Sequence, residues 1–223
     1  MAETALHALG MGHRLAKAQG RRKGDRDLTA IEQQRVRIRH GVPPHLRGAA
    51  ARLYWRGFGP GLVPLPTPAR EGISLVARAM HPDRALVALT PSGALVGIAG
   101  LRGPDGGFLS LSGADFRRVF GPVRGRLRHL SSLLHLSGAE TADLILDGVA
   151  VRPQWRGCGI ARALVQAAAL CARDLGHPAL MVEVEARNGD ALAAWQALDF
   201  QLSGRQRLGW PWRGRAHVMR LPV

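Results

Sequence analysis

The chain has 223 residues, 46% apolar and 21% charged, a composition that excludes wholesale disorder and repetitive structural chains. Its two cysteines, Cys158 and Cys171, belong to no Cys-x-x-Cys or Cys/His cluster, and no apolar stretch approaches the roughly 20 residues of a membrane span; no metal, no membrane contact and a cytoplasmic location are expected. The net charge of +15 avoids one segment, residues 141–200, which hold seven acidic and five basic side chains; elsewhere the excess is either a solvated basic surface or a means of recruiting a polyanion such as nucleic acid.

Residues 1–34, with Lys17 and Arg21-Arg22-Lys23 but few core-forming side chains, read as a basic, flexible N-terminal arm ahead of one domain over 35–223. Val36 and Ile38 alternate with Arg37 and Arg39, a first strand ended by Gly41-Val42-Pro43-Pro44. Leu46, Ala50, Leu53, Tyr54 and Phe58 then recur at helical spacing, and Gly57, Gly59, Pro60 and Gly61 are expected to stop that helix. A proline-punctuated loop leads to a second helix carrying Ile73, Val76, Ala77 and Met80. Apolar runs at 85–90 and 94–101, joined by Pro91-Ser92-Gly93, predict an antiparallel hairpin. Over 102–143 lies a helical insertion, broken in two by Gly121-Pro122. Its Phe116, Val119, Phe120, Val123, Leu127, Leu130 and Leu134 form one stripe, with Arg117, Arg118, Arg124, Arg126 and Arg128 away from it.

The next run, 144–151, reads as a buried strand. Arg152-Pro153-Gln154-Trp155-Arg156-Gly157-Cys158-Gly159-Ile160-Ala161 carries it into a helix reaching about Leu175. A strand, a glycine loop and a helix start together make an anion site: glycines let the backbone approach closely, and the unpaired N–H groups of the first turn sit at the positive end of the helix dipole. A diphosphate fits such a nest, and Arg156 and Arg162 can add charge-assisted bonds to it. Cys158, inside the loop, reads as a small packing residue.

The same order of strand, Arg-Gly-x-Gly-Ile-Ala loop and helix, followed by a strand at 179–186, Asn188, a short helix and Leu198-Asp199-Phe200, resembles the GNAT acetyltransferase superfamily. The resemblance is strong over 144–221 and rests on element order alone over 36–101. It implies an α/β GNAT fold: a mixed, mostly antiparallel sheet of about seven strands, flanked by helices and splayed between the strands at 144–151 and 179–186. It implies transfer of acetyl from acetyl-CoA to a primary amine acceptor by direct attack in a ternary complex. The pyrophosphate then lies on Arg156, Gly157, Cys158, Gly159, Ile160, Ala161 and Arg162, the pantetheine arm along Val149, Ala150 and Val151, and Asn188 at the pantetheine amides. Two positions depart from the family. Trp195 stands where a tyrosine often serves as general acid, beside the cofactor, and Asp199 replaces the usual glycine before the aromatic. Tyr54, the only tyrosine, is the remaining phenolic acid, although packing against Trp55 is its plainer role.

Attack by an amine also needs a base for the ammonium proton. The candidates are Asp147 on the strand at 144–151 and Glu183 and Glu185, which share one face of the strand at 179–186 while Val182 and Val184 take the other. Pairing with Arg187 or Arg173 is the structural alternative. The insertion is expected to cover the acceptor side. A terminal hairpin follows, whose loop carries Trp210, Trp212, Arg213 and Arg215; it either stacks on a base or an aromatic substrate or is simply pinned by its aromatics. A catalytically silent acyl-CoA-binding or nucleic-acid-associated module, an aminoacyl-tRNA or protein amine as acceptor, and assembly as a homodimer stay open.

Overall fold

The computed structural model describes residues 36–133, 141–207 and 215–223. The expected N-terminal arm, the end of the insertion and the loop with Trp210 and Trp212 lie outside them. In chain order the elements are β1 (Arg37–His40), α1 (Arg47–Leu62), α2 (Ala69–Ala79), β2 (Ala85–Leu89), β3 (Leu95–Gly103), β4 (Gly106–Gly107), α3 (Gly113–Phe120), α4 (Pro122–Leu133) and β5 (Leu144–Val151). They continue with α5 (Ile160–Asp174), β6 (Ala179–Glu185), α6 (Gly189–Gln196), β7 (Gln201–Arg207) and β8 (Arg215–Pro222). The sheet runs β1-β2-β3-β5-β6-β8-β7, with the short return strand β4, unforeseen in the sequence, on β3. All pairings are antiparallel except β5 with β6, whose ladder holds only Leu144 opposite Leu180 and Ile145 opposite Met181 before the two strands part. This is the expected splay. Among the described residues no helix is long and apolar enough to cross a membrane, and no group of three His, Cys, Asp or Glu side chains could hold a metal ion.

Side-chain alternation gives the sheet two apolar faces. Leu146, Leu180, Val182 and Val184 pack on one face beneath Leu164 and Ala168 of α5. Val87, Ile98 and Phe108 meet Leu53 and Tyr54 of α1 and Val76 of α2 on the other. Helix α1 does not stop at its glycines. It continues through Pro60 to Leu62, and Gly57 is its point of close approach to β5: a Cβ on Gly57 would lie 3.3 Å from the Ala150 methyl, and one on Gly148 of β5 would lie 2.5 Å from the Phe58 ring. Tertiary contact here outweighs helix propensity. Trp55 turns the other way and lies flat against Gly72 of α2.

The insertion forms the two expected helices, α3 capped by a reciprocal Ser112/Asp115 box. Phe116 and Phe120 of α3 are buried with Val63 and Leu75. In α4 the expected phase is reversed. Val123, Leu127, Leu130 and Leu133 are exposed, Val123 by 80%, whereas Gly125, Arg128 and Ser132 face inward. The physical reason is local to Arg128. Its Nη1 donates to Thr67 Oγ1 (2.7 Å) and Leu65 O (3.3 Å), its Nη2 donates to Pro66 O (2.8 Å), and its guanidinium stacks 4.8 Å over the Phe120 ring. A buried cation is tolerated where its donors are met in this way.

Candidate active site

Two hollows lie where α1 crosses β5. The first is created by a β-bulge: β3 pairs Gly100 with Gly148 and Leu101 with Leu146, which leaves Asp147 as the extra residue. A bulge re-aims its side chain. Asp147 Oδ1 accepts a 2.8 Å bond from Arg102 Nε of β3, both side chains about a quarter exposed or less. Glu183 joins them from β6, because Val182 and Val184 on either side of it point into the core beneath α5. Tyr54, Arg102, Asp147 and Glu183 thus line one cavity of about 440 Å³. Its remaining wall is largely apolar, from Leu62, Leu109, Leu111 and Ile145, with the Ser132 side of α4 closing it.

Electrostatics distinguishes these groups. Burial pushes the Asp147 carboxyl above the usual carboxylate range; the charge and hydrogen bond of Arg102 pull against that rise, and the charge of Glu183 adds to it. Burial works to lower the Arg102 value, but Asp147 outweighs it and the guanidinium stays charged. Burial first, and the charge of Asp147 second, hold the Tyr54 phenol well above its ordinary value against the opposing pull of Arg102. Proton transfer from this phenol to a thiolate, whose thiol titrates near about 8.5, is therefore uphill. Tyr54 packs between Phe58 (4.7 Å between ring centroids) and Phe108 (4.9 Å), in the same core cluster that Trp55 borders.

The second hollow, about 460 Å³, lies at the C-terminal end of β5. Arg52 and Arg56 line it from successive turns of α1, Arg152 and Arg156 from the loop after β5, and no acidic side chain among the described residues does. Gly157 and Gly159 both take positive φ, +76° and +75°, so the loop needs residues without a Cβ. Gly159 is the N-cap of α5 with no side chain bonded there, which leaves the first-turn N–H groups outward for an anion. Ile160 anchors the turn in the core, and Ala161 packs partly against it. Between the two hollows, β5 has no ladder partner on its β6 side beyond Ile145. The side chains of Val149, Ala150 and Val151 there are buried, so what that edge presents is backbone.

Four of the expected site residues line neither hollow. Arg162 points away from the groove, its Nη2 donating to Ala197 O at 2.7 Å, because its place on α5 faces the turn after α6. Glu185 lies outside the cavity at the end of β6, paired with Arg187 at 2.7 Å and its side chain 18% exposed. Trp195 lines neither hollow; it is 6% exposed and packs edge-on against Phe200, because the apolar side of α6 turns into the core. Asn188 is buried as the N-cap of α6, its side-chain oxygen accepting from Ala191 N at 3.1 Å. Cys158 donates to Arg156 O at 3.5 Å, as a packing residue. Sequence reasoning missed Arg102, Arg52 and Arg56. Arg102 had a signal, as the one charge closing an otherwise apolar strand; Arg52 and Arg56 share one helix face at i, i+4 spacing.

Compared with known proteins, residues 49–200 match the model of the acetyltransferase (GNAT) family. No curated protein matches the sequence. The fold is similar to that of an N-acetyltransferase from Staphylococcus aureus Mu50 (TM-score 0.58, 15% identity, 83% of this chain and 100% of that one). It is also similar to an acetyltransferase (TM-score 0.56, 20% identity, 84% and 99%) and to a GCN5-related N-acetyltransferase from Kribbella flavida (TM-score 0.53, 19% identity, 85% and 99%).

Proposed function

This chain belongs to the GNAT acetyltransferase family, and from that premise we propose that it moves the acetyl group of acetyl-CoA to a primary amine bound in the Asp147/Glu183 cavity. The observation that carries the reading is the pairing, along one open stretch of β5, of an arginine-lined groove with a carboxylate-bearing cavity. The diphosphate suits the groove: Arg52, Arg56, Arg152 and Arg156 supply charge, and the N-terminus of α5 supplies N–H donors. The backbone of Val149, Ala150 and Val151 is available to the pantetheine arm.

Acetyl-CoA brings a thioester carbonyl; the amine nitrogen forms a C–N bond to it as the C–S bond breaks and CoA leaves as a thiolate. The protein's share is to bind the ammonium, remove its proton and orient the nitrogen. Glu183 accepts the proton. Asp147, held by Arg102, stands beside it as a second acceptor for the ammonium's N–H groups, and Glu185, tied to Arg187, takes no part. The thiolate departs without a phenolic acid, since Tyr54 holds its proton too tightly to serve.

The experiment is thiol release from acetyl-CoA with a panel of primary amines, in the parent, Glu183→Gln and Glu185→Gln. Loss of a general base costs about 10² or more in rate, so Glu183→Gln should fall by that factor near pH 7 and recover toward the parental rate as pH nears the amine's own value of about 10. Glu185→Gln should keep parental rates. Parental rates in both variants across the range would remove Glu183 from the role.

A further inference from the structure

The α3–α4 insertion leaves a wall on the acceptor cavity that the chemistry of acetyl transfer does not require. Ser132 reaches the cavity from α4, and Leu62 reaches it from the end of α1. The two walls belong to segments distant in sequence, and Arg128 joins them. One turn before Ser132 on the same inward side of α4, its guanidinium grips Leu65 O, Pro66 O and Thr67 Oγ1, the turn that directly follows α1. Gly125, another turn earlier, allows the approach: a Cβ there would come within 2.6 Å of Phe116 O. One buried side chain thus ties the α4 wall to the segment that follows α1.

The lining has a definite chemistry. Two acidic side chains, Asp147 and Glu183, stand there against one guanidinium, Arg102, which Asp147 already engages, within a chain whose total is +15. Leu62, Leu109, Leu111 and Ile145 line the rest. Its volume of about 440 Å³ lies in the range that holds small molecules. An ammonium is attracted to the polar end, whereas an acceptor with its own carboxylate or phosphate beside the nitrogen meets like charge. Ser132 of α4 narrows the room beside the cavity for the chain that follows a polymer's amine.

Resting on the reading of this cavity as the acceptor site, we infer that the acceptor is a small primary amine on an uncharged, apolar body, of the alkylamine or arylalkylamine class, and that Arg128 is the positioning residue whose clasp sets the wall against that body.

The test uses the full-length protein with acetyl-CoA and three acceptors: phenethylamine, phenylalanine, which is the same body with one added carboxylate, and a tetrapeptide with a free N-terminus. Like-charge juxtaposition in a site of this kind is costly, so phenethylamine should exceed phenylalanine by about 10²-fold or more in kcat/KM, with the peptide lower still. Arg128→Ala should raise KM for phenethylamine by about tenfold and leave kcat within about threefold, the signature of lost uniform binding. Acetyl-CoA should raise the melting temperature of this variant as it does the parent's. If Arg128→Ala fails to fold, Ser132→Leu, which fills the cavity without touching the clasp, should raise KM in the same way. Acetyl-CoA binding with phenylalanine or the peptide preferred, or with none of the three consumed, overturns the inference and leaves the acetyl-CoA site standing. An unchanged KM in both Arg128→Ala and Ser132→Leu overturns it too. Failure of acetyl-CoA to bind the parent overturns the inference and the proposed function together.

Discussion

Replacing Gly159 separates the backbone geometry of the α5 loop from its electrostatics. Gly159 holds φ at +75°, and a Cβ built on it has open space around it, so any L side chain there costs backbone strain but no collision. That strain is worth about 1 kcal/mol, which in a chain of this size lowers Tm by about 2–4 °C. Gly159→Ala should show this loss and little else. Gly159→Glu adds a carboxylate at the N-cap of α5, three residues beyond Arg156 of the arginine-lined groove. One unit charge about 6 Å from a phosphate, at an effective dielectric near 20, opposes binding by about 3 kcal/mol per phosphate charge before salt screening, enough for a loss of about 100-fold in affinity. By linkage, acetyl-CoA at 100 times its Kd stabilises the parent by about 2.7 kcal/mol, a rise of about 5–11 °C. After a 100-fold weakening, the same concentration gives only about 0.4 kcal/mol, or roughly 1 °C. The assay is differential scanning fluorimetry of parent, Gly159→Ala and Gly159→Glu, with and without acetyl-CoA. An equal ligand-induced rise in Gly159→Glu and Gly159→Ala would refute the assignment of this loop to the diphosphate.

Asp199 is the one described residue other than glycine with positive φ, +69°, so Asp199→Gly should relieve about 1 kcal/mol and raise Tm by about 2–4 °C in a thermal melt; an unchanged or lower Tm counts against strain there. In Gly72→Ala the added methyl runs into the Trp55 ring, and urea melts should show a loss of about 1–3 kcal/mol despite alanine's better helix propensity; a gain would mean that Trp55 moves aside freely. Asp147 has a folded-state pKa raised above its unfolded value by burial, so the native state holds its proton more tightly and stability falls as pH rises from about 4 through the folded value. Asp147→Asn removes that titration, and the stability of the parent relative to the variant, followed by urea melts, should decline over this window; a constant difference from pH 4 to pH 7 contradicts the raised value.

The α5 loop was legible in the sequence because every part of it is local. Gly157 and Gly159 supply φ values that only their neighbours constrain, the open N–H groups belong to the first turn of the same helix, and the apolar runs on either side have the periods of a strand and a helix. The β2–β3 hairpin was legible on the same ground. The cavity was not. Asp147, Glu183 and Glu185 looked alike along the chain, and what divides them is a bulge measured against β3, the parting of β6 from β5 after Met181, and the arrival of Arg102 from another strand. Helix α4 shows the same limit most sharply. Periodicity identified a helix and a stripe, but period does not determine phase, and the phase was decided by three oxygens at positions 65–67 that satisfy Arg128 in the interior and leave Val123, Leu127, Leu130 and Leu133 outside. Trp195 likewise lies in the core because its side of α6 faces inward and Phe200 packs edge-on against its ring. Backbone geometry and capping depend on residues a few positions apart. Which side of an element is buried, and which carboxylates share a cavity, depends on what the rest of the chain brings against it.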